Sequence, residues 1–137
     1  MRILLDTHIA LWAIANTSKL SDEVIELLEK ESNEVFYSMA SVWEVAIKHI
    51  IKPENMPVSP VSDEEFVRLC EDTGFTRLSI EAGHVFLLKT LSRPNDAPKH
   101  HDPFDRLLIS QAKYENLVLL THDSQFPYYG EKCVMSV

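Results

Sequence analysis

The feature that most constrains the fold is an alternation of period. Five short apolar segments read as strands: "RILL" at 2–5, "EVFYS" at 34–38, "FTRLS" at 75–79, "LVLLT" at 117–121 and "CVMSV" at 133–137. Each is rich in Val, Leu, Ile or aromatic residues, without the in–out alternation of a half-solvated strand, as strands buried on both faces should be. Helical patterns separate them. "SDEVIELLEK" opens on Ser21, a hydroxyl suited to an N-cap, and carries Val24, Ile25, Leu27 and Leu28 mostly on one side. "SVWEVAIKHI" follows the second segment almost at once, "SDEEFVRLCED" and "IEAGHVFLLKTL" flank the third, and "PFDRLLISQAKYEN" leads into the fourth. Strands alternating with helices imply a parallel sheet covered on both faces. The opening "MRILLDTHIALW" reads as the first strand and not as a signal peptide, because Asp6 interrupts the apolar run and no cleavage site follows.

The whole chain agrees with that architecture. Its 137 residues suit one domain with one sizeable core, and 45% apolar against 25% charged residues is ordinary for a globular protein. No apolar run approaches the ~20 residues of a membrane span. Cys70 and Cys133 match no metal or redox spacing, which favours reduced thiols and a cytoplasmic setting. The proline-bearing stretches "KPENMPVSP" (52–60) and "RPNDAPKHHDP" (93–103) read as surface loops.

In an open parallel sheet, ligands bind beyond the carboxyl ends of the strands. Asp6 follows the first strand, Asp123 the fourth, and Glu44 stands in the first turns of the helix after the second. The helix feeding the fourth strand must start at that same edge, and it starts with Asp102 and Asp105. Taken singly, each acid has a plain explanation. Asp6 and Asp123 read as turn residues at strand ends. Glu44 with Lys48 is an i,i+4 pair contributing about 0.5 kcal/mol on an exposed helix. Asp102 before Pro103 reads as an N-cap, and Asp105 as an acid favoured by the helix dipole. Taken together, four regions send carboxylates to one edge, where they repel unless protonated or neutralised. Mg²⁺ or Mn²⁺ suits such an oxygen-rich set and can meet a phosphate oxygen and activate water. A net charge of −8 argues against gripping nucleic acid by protein charge alone, but not against a site whose metals meet the phosphate.

The segments "LLDTHIALW", "SVWEVAIK", "HHDPFDRLLISQA" and "LLTHD", in this order and across essentially the whole chain, resemble the PIN-domain family, specifically VapC-type toxins of bacterial toxin–antitoxin pairs. The resemblance implies a single PIN domain over residues 1–137, folded as a three-layer α/β/α sandwich around a parallel sheet of about five strands. It implies a Mg²⁺- or Mn²⁺-dependent endoribonuclease, with Asp6, Glu44, Asp105 and Asp123 matching the family's acidic positions, and Asp102 either a cap or a further ligand. RNA as substrate, a small antitoxin occupying the acidic cleft and a homodimer are the partners it implies, with no membrane. One departure is "HIIKPENMP", which lacks a glycine many relatives have there and affects loop shape rather than chemistry.

Supporting roles fall to Thr7 and Thr121, which could bond a metal-held water or an Asp or simply finish a strand, and to Arg106, which could pair with a site acid or an RNA phosphate. His8, Trp12 and Trp43 read as packing or orienting residues. Lys48, Lys52, Lys99, His100 and His101 form the basic rim. Other phosphate chemistries fit less well. A haloacid-type phosphatase needs a second acid where His8 stands, a phosphorelay receiver needs adjacent acids after the first strand, and glycines only at 74, 83 and 130 leave no phosphate loop. The rival from another class is a PIN fold that binds RNA or protein without cleaving.

Overall fold

The computed structural model describes residues 1–50, 59 and 61–137. The loop expected at 52–60, the departure in "HIIKPENMP" beyond Ile50, and Lys52 lie outside the described residues, Ser59 excepted.

Five parallel strands, β1 (Arg2–Leu5), β2 (Glu34–Ser38), β3 (Thr76–Leu78), β4 (Val118–Thr121) and β5 (Val134–Ser136), form one sheet in the order β3-β2-β1-β4-β5. The alternation of periods therefore yields the expected sheet. β1 is central, pairing Ile3 with Val35 on one side and with Val118 on the other. Its Ile3, Leu4 and Leu5 are wholly buried because both faces are covered. Ile3, Leu5, Val35, Tyr37 and Leu120 pack into one apolar cluster, while Leu4, Phe36 and Leu119 pack into a second on the opposite face.

The first cluster is closed by α1 (Thr7–Ala15), α2 (Asp22–Glu29), α3 (Met39–Ile50) and α4 (Asp63–Asp72), through Ile9, Val24, Val42, Val45 and Phe66. The second is closed by α6 (Pro103–Glu115), through Leu107, Leu108, Ile109 and Ala112, with α5 (Ala82–Phe86) packed on α6. The result is the three-layer α/β/α sandwich. Its caps follow the sequence: Ser21 Oγ accepts from Val24 N–H at 3.3 Å, Ser62 Oγ from Glu65 N–H at 3.2 Å, and α6 ends on Asn116 in the left-handed region.

Two elements differ from the sequence reading. The residues after β1 do not end in a turn: Asp6 is the N-cap of α1, accepting the Ile9 N–H at 2.8 Å. The segment "THIALWAIA" is apolar nearly all round, so it lacks the one-sided stripe that marks a helix from sequence. The pattern over 80–91 also does not run as one helix. It makes α5 and then a tighter 3₁₀ turn, Leu87–Thr90, which delivers Leu91 into the second cluster.

Because β1 pairs with β2 on one side and β4 on the other, the strand order reverses there. The carboxyl ends of these three strands enclose a topological switch point. No helix among the described residues is long and apolar enough to cross a membrane.

Candidate functional site

The carboxyl edge gathers its acids by four routes. Asp6 leaves β1 directly into α1, 3% exposed, with one oxygen accepting from Ile9 N–H and the other from the Thr121 hydroxyl at the end of β4. Burial raises its pKa despite those bonds. Glu44 stands on the inner face of α3, 3% exposed, so the exposed-helix reading of its pair with Lys48 does not hold. Lys48 Nζ reaches Glu44 Oε2 at 2.6 Å, while Oε1 is buried without a hydrogen-bond partner. Such an orphaned oxygen costs free energy unless something outside the chain meets it.

Asp102 and Asp105 divide as cap and first-turn acid. Asp102 Oδ1 accepts the N–H groups of Phe104 at 2.9 Å and Asp105 at 3.2 Å, with Pro103 at the first helical position. Asp105 points inward with its side chain 15% exposed, and its pKa is pushed up to about 8. Desolvation is the main cause, followed by the charges of Asp102, Glu44, Asp123 and Asp6, so all the expected acids bear on this one carboxyl. Asp123 Oδ1 accepts from Gln125 N–H at 2.8 Å, and its own N–H donates to Thr121 Oγ1 at 3.0 Å. Thr121 thus bonds both Asp6 and the Asp123 backbone.

Thr7 and His100 depart in part from their readings. Thr7 neither ends a strand nor meets an acid: it begins α1, and its hydroxyl donates to Ser41 Oγ at 2.9 Å, tying α1 to α3. Arg106 makes no ion pair among the described residues, and its Nε is buried without a partner. Of the basic rim, Lys52 lies outside the described residues and two of the other members are engaged. Lys48 is engaged with Glu44, Lys99 and His101 are simply exposed, and His100 turns into the site. Its Nε2 lies 3.0 Å from Asp105 Oδ2 and its Nδ1 lies 2.8 Å from the Tyr129 hydroxyl. Burial lowers the His100 pKa, which favours a hydrogen bond to Asp105 over an ion pair. His100, Asp105 and Asp123 each offer a donor atom, and these atoms lie within 4.8 Å of one another.

The sequence set His100 on the rim of the cleft rather than against Asp105, and it gave no sign of Tyr129, because the path of 91–102 decides where the imidazole lands. A histidine two positions before an acidic cap was the one available signal. Trp43 is half exposed and meets Phe104 edge to face, with centroids 4.8 Å apart. Trp12 packs between His8 and His122.

An open parallel α/β sheet with carboxylates converging at its switch point defines a class of α/β protein whose ligand site lies at the carboxyl edge of the strands. The match to the family model for the PIN domain over residues 3–132 makes the assignment specific: the chain belongs to the PIN-domain family. Among solved structures it is similar to a chain of VapBC2 from Rickettsia felis bound to a DNA fragment from their promoter, at 20% identity and TM-score 0.62, covering 100% of this chain and 98% of that one. It is also similar to a domain of a functionally unknown protein from Methanocaldococcus jannaschii DSM 2661, at 14% identity and TM-score 0.58, covering 99% and 90%. No protein of curated function matches the sequence.

Proposed function

We propose that this protein is a divalent-metal-dependent endoribonuclease and the VapC-type toxin of a toxin–antitoxin pair. The observation that carries the reading is the convergence of Asp6, Glu44, Asp105 and Asp123, with one Glu44 oxygen buried and unpartnered and the Asp105 pKa pushed up to about 8 by burial and by its neighbours' charge. The residues fit a hard cation: the donors are carboxylate oxygens from several elements, and their mutual repulsion is relieved by positive charge. Asp6, Glu44, Asp105 and Asp123 would hold Mg²⁺ or Mn²⁺. A cation held there would supply the positive charge that a phosphate oxygen meets and the acidity that makes water a nucleophile.

The chain's own residues supply the rest. Thr121 fixes the Asp6 carboxylate and the turn into Asp123, so that two of the acids keep one geometry. Asp102 holds the start of α6, and with it the position of Asp105. Lys48 offsets part of the Glu44 charge. The partners belonging to this reading are RNA, a second copy of the chain, and a small antitoxin that blocks the cleft. The Rickettsia felis neighbour, described as the VapBC2 pair on promoter DNA, supports the antitoxin. A cytoplasmic setting suits the free thiols of Cys70 and Cys133.

The test is cleavage of total RNA with MgCl₂ or MnCl₂, with and without chelator, beside Asp6→Asn. Cation-dependent cleavage leaving 5′-phosphates, lost on chelation and in the variant, is expected. Cleavage that survives thorough chelation excludes the mechanism, and RNA binding without cleavage under any cation supports the silent binding module instead.

A further inference from the structure

We propose that His100 is a ligand of the cation itself, its Nε2 forming with Asp105 and Asp123 a mixed nitrogen–oxygen set that gives this site a preference for Mn²⁺ over Mg²⁺. The inference rests on the metal-dependent reading above and adds to it a donor of a different chemical kind.

Three observations carry it. His100 Nε2 and Asp105 Oδ2 stand 3.0 Å apart, and both lie within 4.8 Å of a carboxylate oxygen of Asp123. Donors bound at adjacent octahedral positions, each about 2.1 Å from one ion, are separated by about 3 Å, so this spacing suits two neighbouring ligands as well as a hydrogen bond. The far side of the ring is already provided for. A ligating imidazole needs an acceptor for its other N–H, and Nδ1 lies 2.8 Å from the hydroxyl oxygen of Tyr129. Tyr129 is 6% exposed and lies beneath the Arg93 guanidinium, 4.9 Å from its ring centroid, so that partner is held in place. Independently, Glu44 is 3% exposed and leaves Oε1 without a hydrogen-bond partner, as expected of a site waiting for a cation.

The consequence is selectivity. Mg²⁺ favours oxygen donors and keeps its waters, whereas the transition series from Mn²⁺ onward gains more from a nitrogen. An all-carboxylate site has no such lever.

The experiment uses the whole chain, stripped of metal and loaded with MnCl₂, and reads nitrogen coupling to Mn²⁺ by pulsed electron paramagnetic resonance. A ¹⁴N coupling is expected, changing to a ¹⁵N pattern when the histidines alone are ¹⁵N-labelled. It should disappear in His100→Gln and survive in His8→Gln, His101→Gln and His122→Gln, all at exposed positions. If His100→Gln does not fold, the labelled wild type with the other three variants and His49→Gln leaves only His84 and His100, and both ring nitrogens of His84 are already bonded, to the Glu81 N–H and to Glu115. Calorimetry should show His100→Gln weakening Mn²⁺ binding about tenfold or more, with Mg²⁺ changed by less than about threefold. Mn²⁺ bound with no nitrogen coupling overturns the proposal while leaving the nuclease reading intact. Equal losses for both ions also overturn it, making His100 a positioning residue for Asp105. A wild type that binds neither ion overturns both readings.

Discussion

Asp102 and Asp105 stand three residues apart at the start of one helix, and the structure gives them different work. Asp102 spends one oxygen on two backbone N–H groups, whereas Asp105 turns into the cluster and meets His100. Asparagine caps about as well as aspartate, so Asp102→Asn should melt within about 0.5 kcal/mol of wild type and keep most of its cleavage. Asp105→Asn should fold, lose cleavage and bind metal weakly. Cleavage and calorimetry on the two variants check this, and a dead Asp102→Asn beside an active Asp105→Asn reverses the assignment. The raised pKa of Asp105 also has a pH signature in metal-free protein. Above about pH 4 the unfolded chain releases this proton, but the folded chain keeps it until about pH 8. The folded state binds more protons across that window, so stability falls as pH rises through it and then levels off. Denaturant titrations under chelation should show Asp105→Asn gaining on wild type between pH 4 and pH 8, by a few kcal/mol at most. A constant difference across the window shows that the carboxyl is not held protonated. The sequence carries the cap and the first-turn acid here, since both follow from spacing and Pro103. It does not carry burial or the approach of His100, which depend on where a loop without regular structure crosses the sheet edge.

At the scale of elements, α5 shows how much a short helix relies on its neighbours. Five residues with Gly83 among them cannot sustain a helix alone. His84, wholly buried, holds it to α6. Glu81 N–H donates to its Nδ1 at 2.9 Å, which leaves Nε2–H to donate to Glu115 Oε1 at 2.8 Å, and Ser110 Oγ donates to its carbonyl. Replacing the ring with His84→Leu keeps an apolar body but leaves the Glu81 N–H unpaired, at a cost of about 1–3 kcal/mol. The urea midpoint should fall with an unchanged slope, and cleavage per folded molecule should stay at the wild-type level, because His84 touches no acid of the site. A loss of cleavage without a loss of stability would tie α5 to the chemistry and refute this. The same neighbours explain which elements were legible. α2 and α6 announce themselves through Ser21 and Asp102 at their caps, and the strands through runs of branched residues. α1 and the 3₁₀ turn after α5 take their form from what they are buried against, and local pattern does not encode that.

For the molecule as a whole, the decisive quantity is its charge. A chain of net −8 that concentrates carboxylates at one edge repels RNA until cations intervene. Among the described cations near the cleft, Lys48 is committed to Glu44 and Arg93 to Gln125 and the Pro98 carbonyl, while Arg106 makes no ion pair. Binding of RNA to Asp6→Asn, which should not cleave, is therefore expected to strengthen at least about tenfold when MgCl₂ or MnCl₂ replaces an equal ionic strength of KCl. Equal binding in both salts removes the cation from substrate recognition. The same field defines an inhibitor. A guanidinium can meet two carboxylates with paired hydrogen bonds and needs no coordination shell, so an arginine is the side chain best suited to stand where the cation would. The small protein expected to co-purify with the native chain should carry such an arginine into the cleft, and the complex should neither cleave RNA nor take up Mn²⁺. Changing that arginine to lysine keeps the charge but loses the paired geometry. It should therefore restore Mn²⁺ uptake and cleavage while the two chains remain associated through the rest of their contact. Calorimetry of Mn²⁺ into the purified complex, beside gel filtration to confirm that it stays intact, decides the matter. Full Mn²⁺ binding by an intact, inactive wild-type complex would mean that the partner blocks RNA by covering the cleft rather than by taking the place of the metal.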